Sequence, residues 1–399
     1  MLEVAAAQAE VLRHATPRKP EVSPVSSSAL GLVVAEDIAA DRDLPPFPKA
    51  MMDGFAVLAA DCVKANATLT VVEEVTAGKM PTKAIGAGQT ARVNTGSPVP
   101  DGADAVVMIE DCRVVGDRVT INTTPMAGQH IQPVGREMRR GETVITAGTV
   151  LWPAHFAVLS TVGRTSVKAY PPPRVALLAT GNELVEPATT PGPGQIRNSN
   201  VTMLVAQCVQ VGALPRSLGI ARDERDHLRS MIKEGLTADV LILSGGVSAG
   251  TLDLVPEMLK ELGVQPVFHK VAMKPGKPLF FGIRDRTLVF GLPGNPVSSF
   301  VGFELFVRPA ILRLRNVNPA IPPLLRLPLA EAVKHQSDRP TYHPGKIVAQ
   351  DVGEAVSIVP WHGSPDLKGL CPANALVLLE PGERTYPAGS LVPVMRLPG

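Results

Sequence analysis

Residues 239–253 read Asp239-Val-Leu-Ile-Leu243-Ser244-Gly245-Gly246-Val-Ser248-Ala-Gly-Thr-Leu-Asp253. The run Val-Leu-Ile-Leu is apolar at every position. That predicts a strand covered on both faces, as in a parallel sheet with helices on either side. The run stops at two glycines flanked by hydroxyls, so chemistry is expected where the strand ends. Outward from this stretch the pattern repeats. Val175-Ala-Leu-Leu-Ala179 is a second wholly apolar run and leads into Thr180-Gly181-Asn182-Glu183. Thr287-Leu-Val-Phe290 is a third and leads into Gly291-Leu-Pro293-Gly294-Asn295-Pro296-Val-Ser298. Helices are predicted from Asn198 or Ser199 to about Val211 with Gly212 closing it, from Asp223 to Gly235, from Asp253 to Leu262, and, as one long element, from Asn295-Pro296 to about Arg315. Leu214 to Ile220 is a shorter strand. Strands alternating with helices imply a parallel, doubly wound sheet.

Pro171-Pro-Pro173 on one side and Pro319, Pro322, Pro323 and Pro328 on the other bracket this region. Upstream, a helix is expected over residues 3–13 and short β-branched runs over 39–140. Pro153 opens a further helix that runs to Gly163. Downstream, Val356-Ser-Ile-Val359, Leu376-Val-Leu-Leu379 and Leu391-Val-Pro-Val394 predict a small β-barrel or sandwich. A chain of 399 residues, 45% hydrophobic and 19% charged, has room for two to four modules with buried cores. A net charge of +2 gives no electrostatic case for nucleic acid. Cys62, Cys112, Cys208 and Cys371 are far apart, which opposes a zinc finger or disulfide framework and fits a reducing compartment. With neither a secretory pattern nor a membrane-spanning run, cytoplasm is expected.

In an open parallel sheet, ligands bind beyond the carboxyl ends of the strands. Three such ends loaded with glycine, hydroxyl and acid predict one shared pocket. At Ser244, Gly245, Gly246 and Ser248, glycines let backbone N–H groups approach an anion and hydroxyls add donors. Pro293, Asn295, Pro296 and Ser298 open a helix whose free N–H groups favour an oxyanion. Lys270, Lys274 and Lys277, stiffened by Pro275 and Pro278, suit phosphate or another oxyanion. Glu183, Asp223 and Asp253 lie just past apolar runs, and oxygen ligands beside phosphates are the setting of Mg²⁺. Read singly, each loop is equally a tight turn, and Asp223 and Asp253 are equally helix caps. Two loops of the β-rich region add an acid amid apolar residues, Met51-Met52-Asp53-Gly54-Phe55, and a rigid stretch, Asn94-Thr95-Gly96-Ser-Pro-Val-Pro100. The eight histidines show no metal spacing.

Together these segments resemble molybdopterin molybdenumtransferases, the family that includes the C-terminal domain of gephyrin. The matching stretches are residues 45–57, 95–107, 179–184, 195–200, 243–253, 270–278 and 291–298. Ser-Gly-Gly-Val-Ser with Lys-Pro-Gly-Lys-Pro and Gly-Leu-Pro-Gly-Asn-Pro-Val-Ser is a highly specific combination. The resemblance implies a multidomain α/β plus β architecture. A central doubly wound molybdopterin-binding α/β domain would span 171–317. A β domain, 39–140, would be inserted into an elongated N-terminal part, 1–38 and 141–170, and a C-terminal β-barrel would span 318–399.

The resemblance further implies a homodimer with a shared active site, small-molecule substrates, and neither nucleic acid nor membrane as partner. Molybdopterin adenylyltransferase is the expected partner enzyme. The implied reaction takes adenylated molybdopterin and molybdate, releases AMP and requires Mg²⁺. On this resemblance Asp53, Glu183, Asp223 and Asp253 are catalytic. Glu183 and Asp253 would hold the metal, Asp223 would organise the pocket, and Asp53 would serve from the partner subunit. Thr95, Ser244, Gly245, Gly246, Ser248, Lys270, Lys274, Lys277, Pro293, Asn295, Pro296 and Ser298 would bind substrate.

The chain departs from the family pattern at four places. Lys49-Ala50-Met51 replaces Asn-Ser-Ala, and Glu137 replaces a common Asp. Tyr342-His343-Pro344 lacks an Arg after the aromatic, and Lys368-Gly369 replaces a Ser pair. Two other readings are a molybdopterin adenylyltransferase, whose loop normally reads Thr-Gly-Gly-Thr-Gly, and a non-catalytic gephyrin-like scaffold. The four acids argue for retained chemistry.

Overall fold

A computed structural model describes residues 1–246, 254–351 and 353–398. The chain forms two compact units, one of Met1–Ala35 with Val167–Gly399 and one of Glu36–Ser166.

The larger unit is built on a six-stranded sheet. Its spatial order is Leu214–Ala221, Arg174–Thr180, Val240–Ser244, Thr287–Leu292, Pro278–Arg284, Gln265–Lys270. The apolar runs are continuous because both faces are covered. Val175, Leu177, Ala179, Val240, Ile242 and Phe290 join one core with Leu204 of helix Ser199–Gln210. Ala176, Leu178, Leu241, Leu243 and Val289 join a second with Leu228, Ile232 and Met258. The first four strands are parallel, as a doubly wound sheet requires. At the far edge the doubly wound sheet is mixed, because Pro278–Arg284 runs antiparallel to both of its neighbours. Arg284 pairs with Thr287, so only Asp285 and Arg286 link these strands, with Asp285 at φ 54°. So short a turn can join only antiparallel neighbours.

The long helix expected over 296–315 is three segments: Pro296–Gly302, a π turn Phe303–Val307, and Arg308–Leu314. Pro309 has no N–H for the Leu305 carbonyl, and Gln8 of the N-terminal helix Val4–His14 donates to that oxygen instead, at 2.9 Å. The wider turn and the borrowed amide accommodate a proline that an unbroken α-helix would reject.

Residues beyond 324 form a five-stranded sheet ordered Leu325–Pro328, Leu391–Arg396, Ala375–Leu379, Thr341–Ala349, Glu354–Ile358. A bridge from Leu329 to Val356 nearly closes it into a barrel around Val356, Val377, Val392 and Val394. Lys274 ties this barrel to the α/β sheet. Its N–H donates to Pro340 O at 2.9 Å, and its carbonyl accepts from Tyr342 N at 2.8 Å.

The smaller unit carries its own six-stranded sheet, with Gly54–Val57 between Ala105–Met108 and Gln89–Val93. A Cβ at Gly54 would fall 1.8 Å from Val107 O, so the residue after Asp53 must be glycine. Among the described residues no helix is long and apolar enough to cross a membrane.

Candidate active site

The strand Arg174–Thr180 is followed by a helix leading to one neighbour, Leu214–Ala221. The next helix, Arg225–Gly235, leads past it to the other neighbour, Val240–Ser244. The strand order therefore reverses here, and a crevice opens at the carboxyl tips of such a switch point. A cleft of ≈ 780 Å³ lies there, lined by Thr180, Gly181, Glu183, Asn198, Asn200, Asp223, Ser244, Gly245, Gly246, Pro293, Asn295 and Pro296 among others. The three strand tips thus share one cavity of ligand-binding size. Gly245, at φ 91°, lets two tips close: a Cβ there would lie 2.8 Å from Thr180 O.

Glu183 folds back over Gly181, where a Cβ would lie 2.4 Å from its carboxylate. That carboxylate has no hydrogen-bond or ion-pair partner among the described residues. Asp223 is exposed in the same cleft, and its N–H donates to Asn182 Oδ1 at 3.2 Å. The following helix starts at Arg225 with Glu224 at its cap position, so the helix-cap alternative for Asp223 falls away.

A smaller recess of ≈ 270 Å³ shares Pro278, Pro293 and Asn295 with the cleft. Lys274, Lys277, Ser298, Arg339, Trp361 and Ser364 line it, and among the described residues no carboxylate does. Three cations and two hydroxyls in one small recess suit an oxyanion. Arg339 is aimed by its Nε–Asp338 Oδ1 bond at 3.0 Å. Lys270 ends its strand exposed and lines neither cavity.

The helix N-terminus at Pro296 is partly occupied from within the protein. Val297 N–H is taken by Ser364 O at 3.0 Å, and Asn295 Nδ2 donates to Ser364 Oγ at 2.9 Å. A loop of the C-terminal barrel covers that end. Ser248 and Asp253 lie outside the described residues. Among those described, no group of three His, Cys, Asp or Glu side chains is placed to hold a metal.

In the smaller unit, Asp53 Oδ1 accepts from Thr95 N at 2.6 Å and Thr95 Oγ1 at 2.9 Å. The Thr95 backbone N–H, then its hydroxyl, hold the Asp53 carboxyl below the usual carboxylate range. Two of the departures partner each other: Lys49 Nζ donates to Glu137 at 3.1 Å, and Gln132 supports that carboxylate at 2.9 Å. Sequence reasoning missed Asn198, Asn200, Arg339, Trp361 and Ser364. The two asparagines lie within residues 195–200, a stretch that carries the family resemblance. The other three reach the recess through the pairing of Lys274 with Thr341, which no local pattern encodes.

Comparison with known proteins agrees with this geometry. Residues 2–163 match the family described as MoeA N-terminal region (domain I and II), 176–313 "Probable molybdopterin binding domain", and 326–397 MoeA C-terminal region (domain IV). Fold and site thus define a multidomain protein built around a molybdopterin-binding α/β domain. A Bacillus subtilis molybdopterin molybdenumtransferase is 36% identical, covering 91% of this chain and 86% of that protein. One from Staphylococcus aureus is 33% identical, covering 94% and 91%. The crystal structure of a molybdopterin biosynthesis MoeA protein from Pyrococcus horikoshii superposes with a TM-score of 0.84 at 29% identity, covering all of both chains. The chain belongs to the molybdopterin molybdenumtransferase family.

Proposed function

We propose that the protein inserts molybdenum from molybdate into adenylated molybdopterin and releases AMP. The observation that carries this reading is the pair of adjoining cavities. A large cleft with uncommitted carboxylates meets a small cationic recess that no acid lines among the described residues, and the two share Pro293 and Asn295. Such a pair suits a large phosphorylated ligand beside a small tetrahedral oxyanion, and the relatives' names speak of molybdopterin and molybdenum. Lys274, Lys277 and Arg339 hold the oxyanion next to the larger substrate, so the encounter becomes intramolecular. Ser244, Gly245 and Gly246 form the floor against which the larger substrate is positioned.

Glu183 and Asp223 both line the cleft as hard oxygen donors, and Glu183 is uncommitted among the described residues, which fits Mg²⁺. Bound there, Mg²⁺ would supply charge neutralisation at the bond that releases AMP. The proposal includes a homodimer in which Asp53 and Thr95 serve the partner's cleft. Exposed Met51 and Met52 beside Asp53, 49% and 39% accessible, support an interface there. It also places the reaction in the cytoplasm, which the four unpaired cysteines fit, downstream of a molybdopterin adenylyltransferase. An adenylyltransferase or a scaffold is not favoured, because MoeA-type regions flank the α/β domain on both sides.

The test is incubation of the pure protein with adenylated molybdopterin, molybdate and Mg²⁺. AMP and a molybdenum-containing cofactor are expected. Pyrophosphate release from ATP and molybdopterin would point to the adenylyltransferase instead, and neither product to a scaffold.

A further inference from the structure

The large cleft is lined by a residue whose buried acceptor has no partner among the described residues. Asn200 Nδ2 donates to Gly294 O at 2.8 Å and to Ser244 Oγ at 3.0 Å. A carbonyl only accepts, so the atom facing Gly294 O must be the amide nitrogen, and the side-chain orientation is fixed. Asn200 Oδ1 is then the atom left over. It is buried and has no partner among the described residues, with the residue 9% exposed. Thr180 Oγ1, in a residue 4% exposed, is equally without one. Both residues line the cleft. Ser244 Oγ, accepting from Asn200, keeps its own proton to give.

An amide oxygen repels phosphate and molybdate, which only accept, and the cationic recess beside it already suits anions. Whatever meets this acceptor must bring a proton or a cation, and a cation can be excluded by chelation. We infer that Asn200, assisted by Thr180, is a specificity-determining residue whose side-chain oxygen accepts from a ring or amino N–H of a nitrogen heterocycle in the bound substrate. The inference rests on the proposed function, whose substrate carries two such heterocycles, adenine and pterin.

Both sources can be probed with ligand pairs in EDTA, so that no divalent cation intervenes. Calorimetry would compare AMP with N6,N6-dimethyl-AMP, and 6-hydroxymethylpterin with its N2,N2-dimethyl and N3-methyl analogues. The wild type should bind one parent about tenfold more tightly than its methylated form, the size of one hydrogen bond. The pair that discriminates identifies the heterocycle. Asn200→Leu, nearly the same shape, should reduce that ratio below about twofold. Thr180→Val should move it in the same direction and serves where the Leu variant does not fold. Equal binding of both members of each pair, or a ratio unchanged in Asn200→Leu, as steric exclusion alone would give, overturns the inference while leaving the proposed function standing. If neither parent heterocycle binds, the proposed function of this cleft falls with it.

Discussion

Two acids sit in glycine-flanked loops of the two units, and their surroundings differ. Asp53 is clamped by both donors of Thr95 and carries a depressed pKa. Glu183 lines a cleft with no protein partner at all among the described residues. A clamped carboxylate is preorganised as a fixed charge, because the protein has already satisfied it. An unpartnered one is kept for something that arrives. Adjacent glycines therefore marked two loops correctly as unusual without distinguishing their duties.

Replacing Glu183 by Gln tests the contrast most severely. The kcat/KM for AMP release should fall by about two to three orders of magnitude, the cost of losing one optimally placed electrostatic group. Stability should stay within about 0.5 kcal/mol in urea unfolding, because no partner in the protein is lost. A large stability loss with activity retained would make Glu183 a structural acid and erase the difference.

Thr95→Val is the complementary change and should act through Asp53. Activity is expected to drop about tenfold, as for a mispositioned group. The pH dependence of stability should change as well. A carboxyl whose folded pKa is lowered contributes stability above its unfolded value, and that contribution is lost as pH falls through the folded value. Wild-type protein thus loses the Asp53 contribution only below the ordinary carboxylate range. The variant should lose less over about pH 5 to pH 2, because its Asp53 pKa has moved back up. Carboxyl NMR titration of Asp53 in both proteins reads this directly.

Ser364→Ala keeps the backbone cap on Val297 but removes the acceptor used by Asn295. The molybdate concentration for half-maximal rate should rise about three- to tenfold with kcat unchanged, the loss of uniform binding at one hydrogen bond. The smallest effect is expected from Lys49→Met. The Lys49–Glu137 pair is partly exposed, at 29% and 42%, so unfolding should lose no more than about 1 kcal/mol, and less at high salt.

Much of the α/β half was legible because doubly covered strands leave unbroken apolar runs and the chain changes character at their ends. Ser244, Gly245, Pro293 and Asn295 were readable for the same reason. The antiparallel edge was not, since a two-residue turn at Asp285 leaves little trace. The π turn escaped notice because its cause, the Leu305 carbonyl freed by Pro309, is met by Gln8 from the far end of the chain. Arg339 and Ser364 were invisible for a similar reason: a barrel that begins after the helices carries them back to the sheet. Lys270 looked like its neighbours in sequence but ends a strand outside both cavities.

The account stands on three strand tips forming one receptacle. Titration calorimetry with adenylated molybdopterin, molybdate withheld, measures that directly. One equivalent should bind per chain, and Gly245→Ala, whose methyl would lie 2.8 Å from Thr180 O, should weaken it at least about tenfold. Unchanged affinity in a folded Gly245→Ala protein would contradict the account, because the tips could then be forced apart without consequence for the ligand.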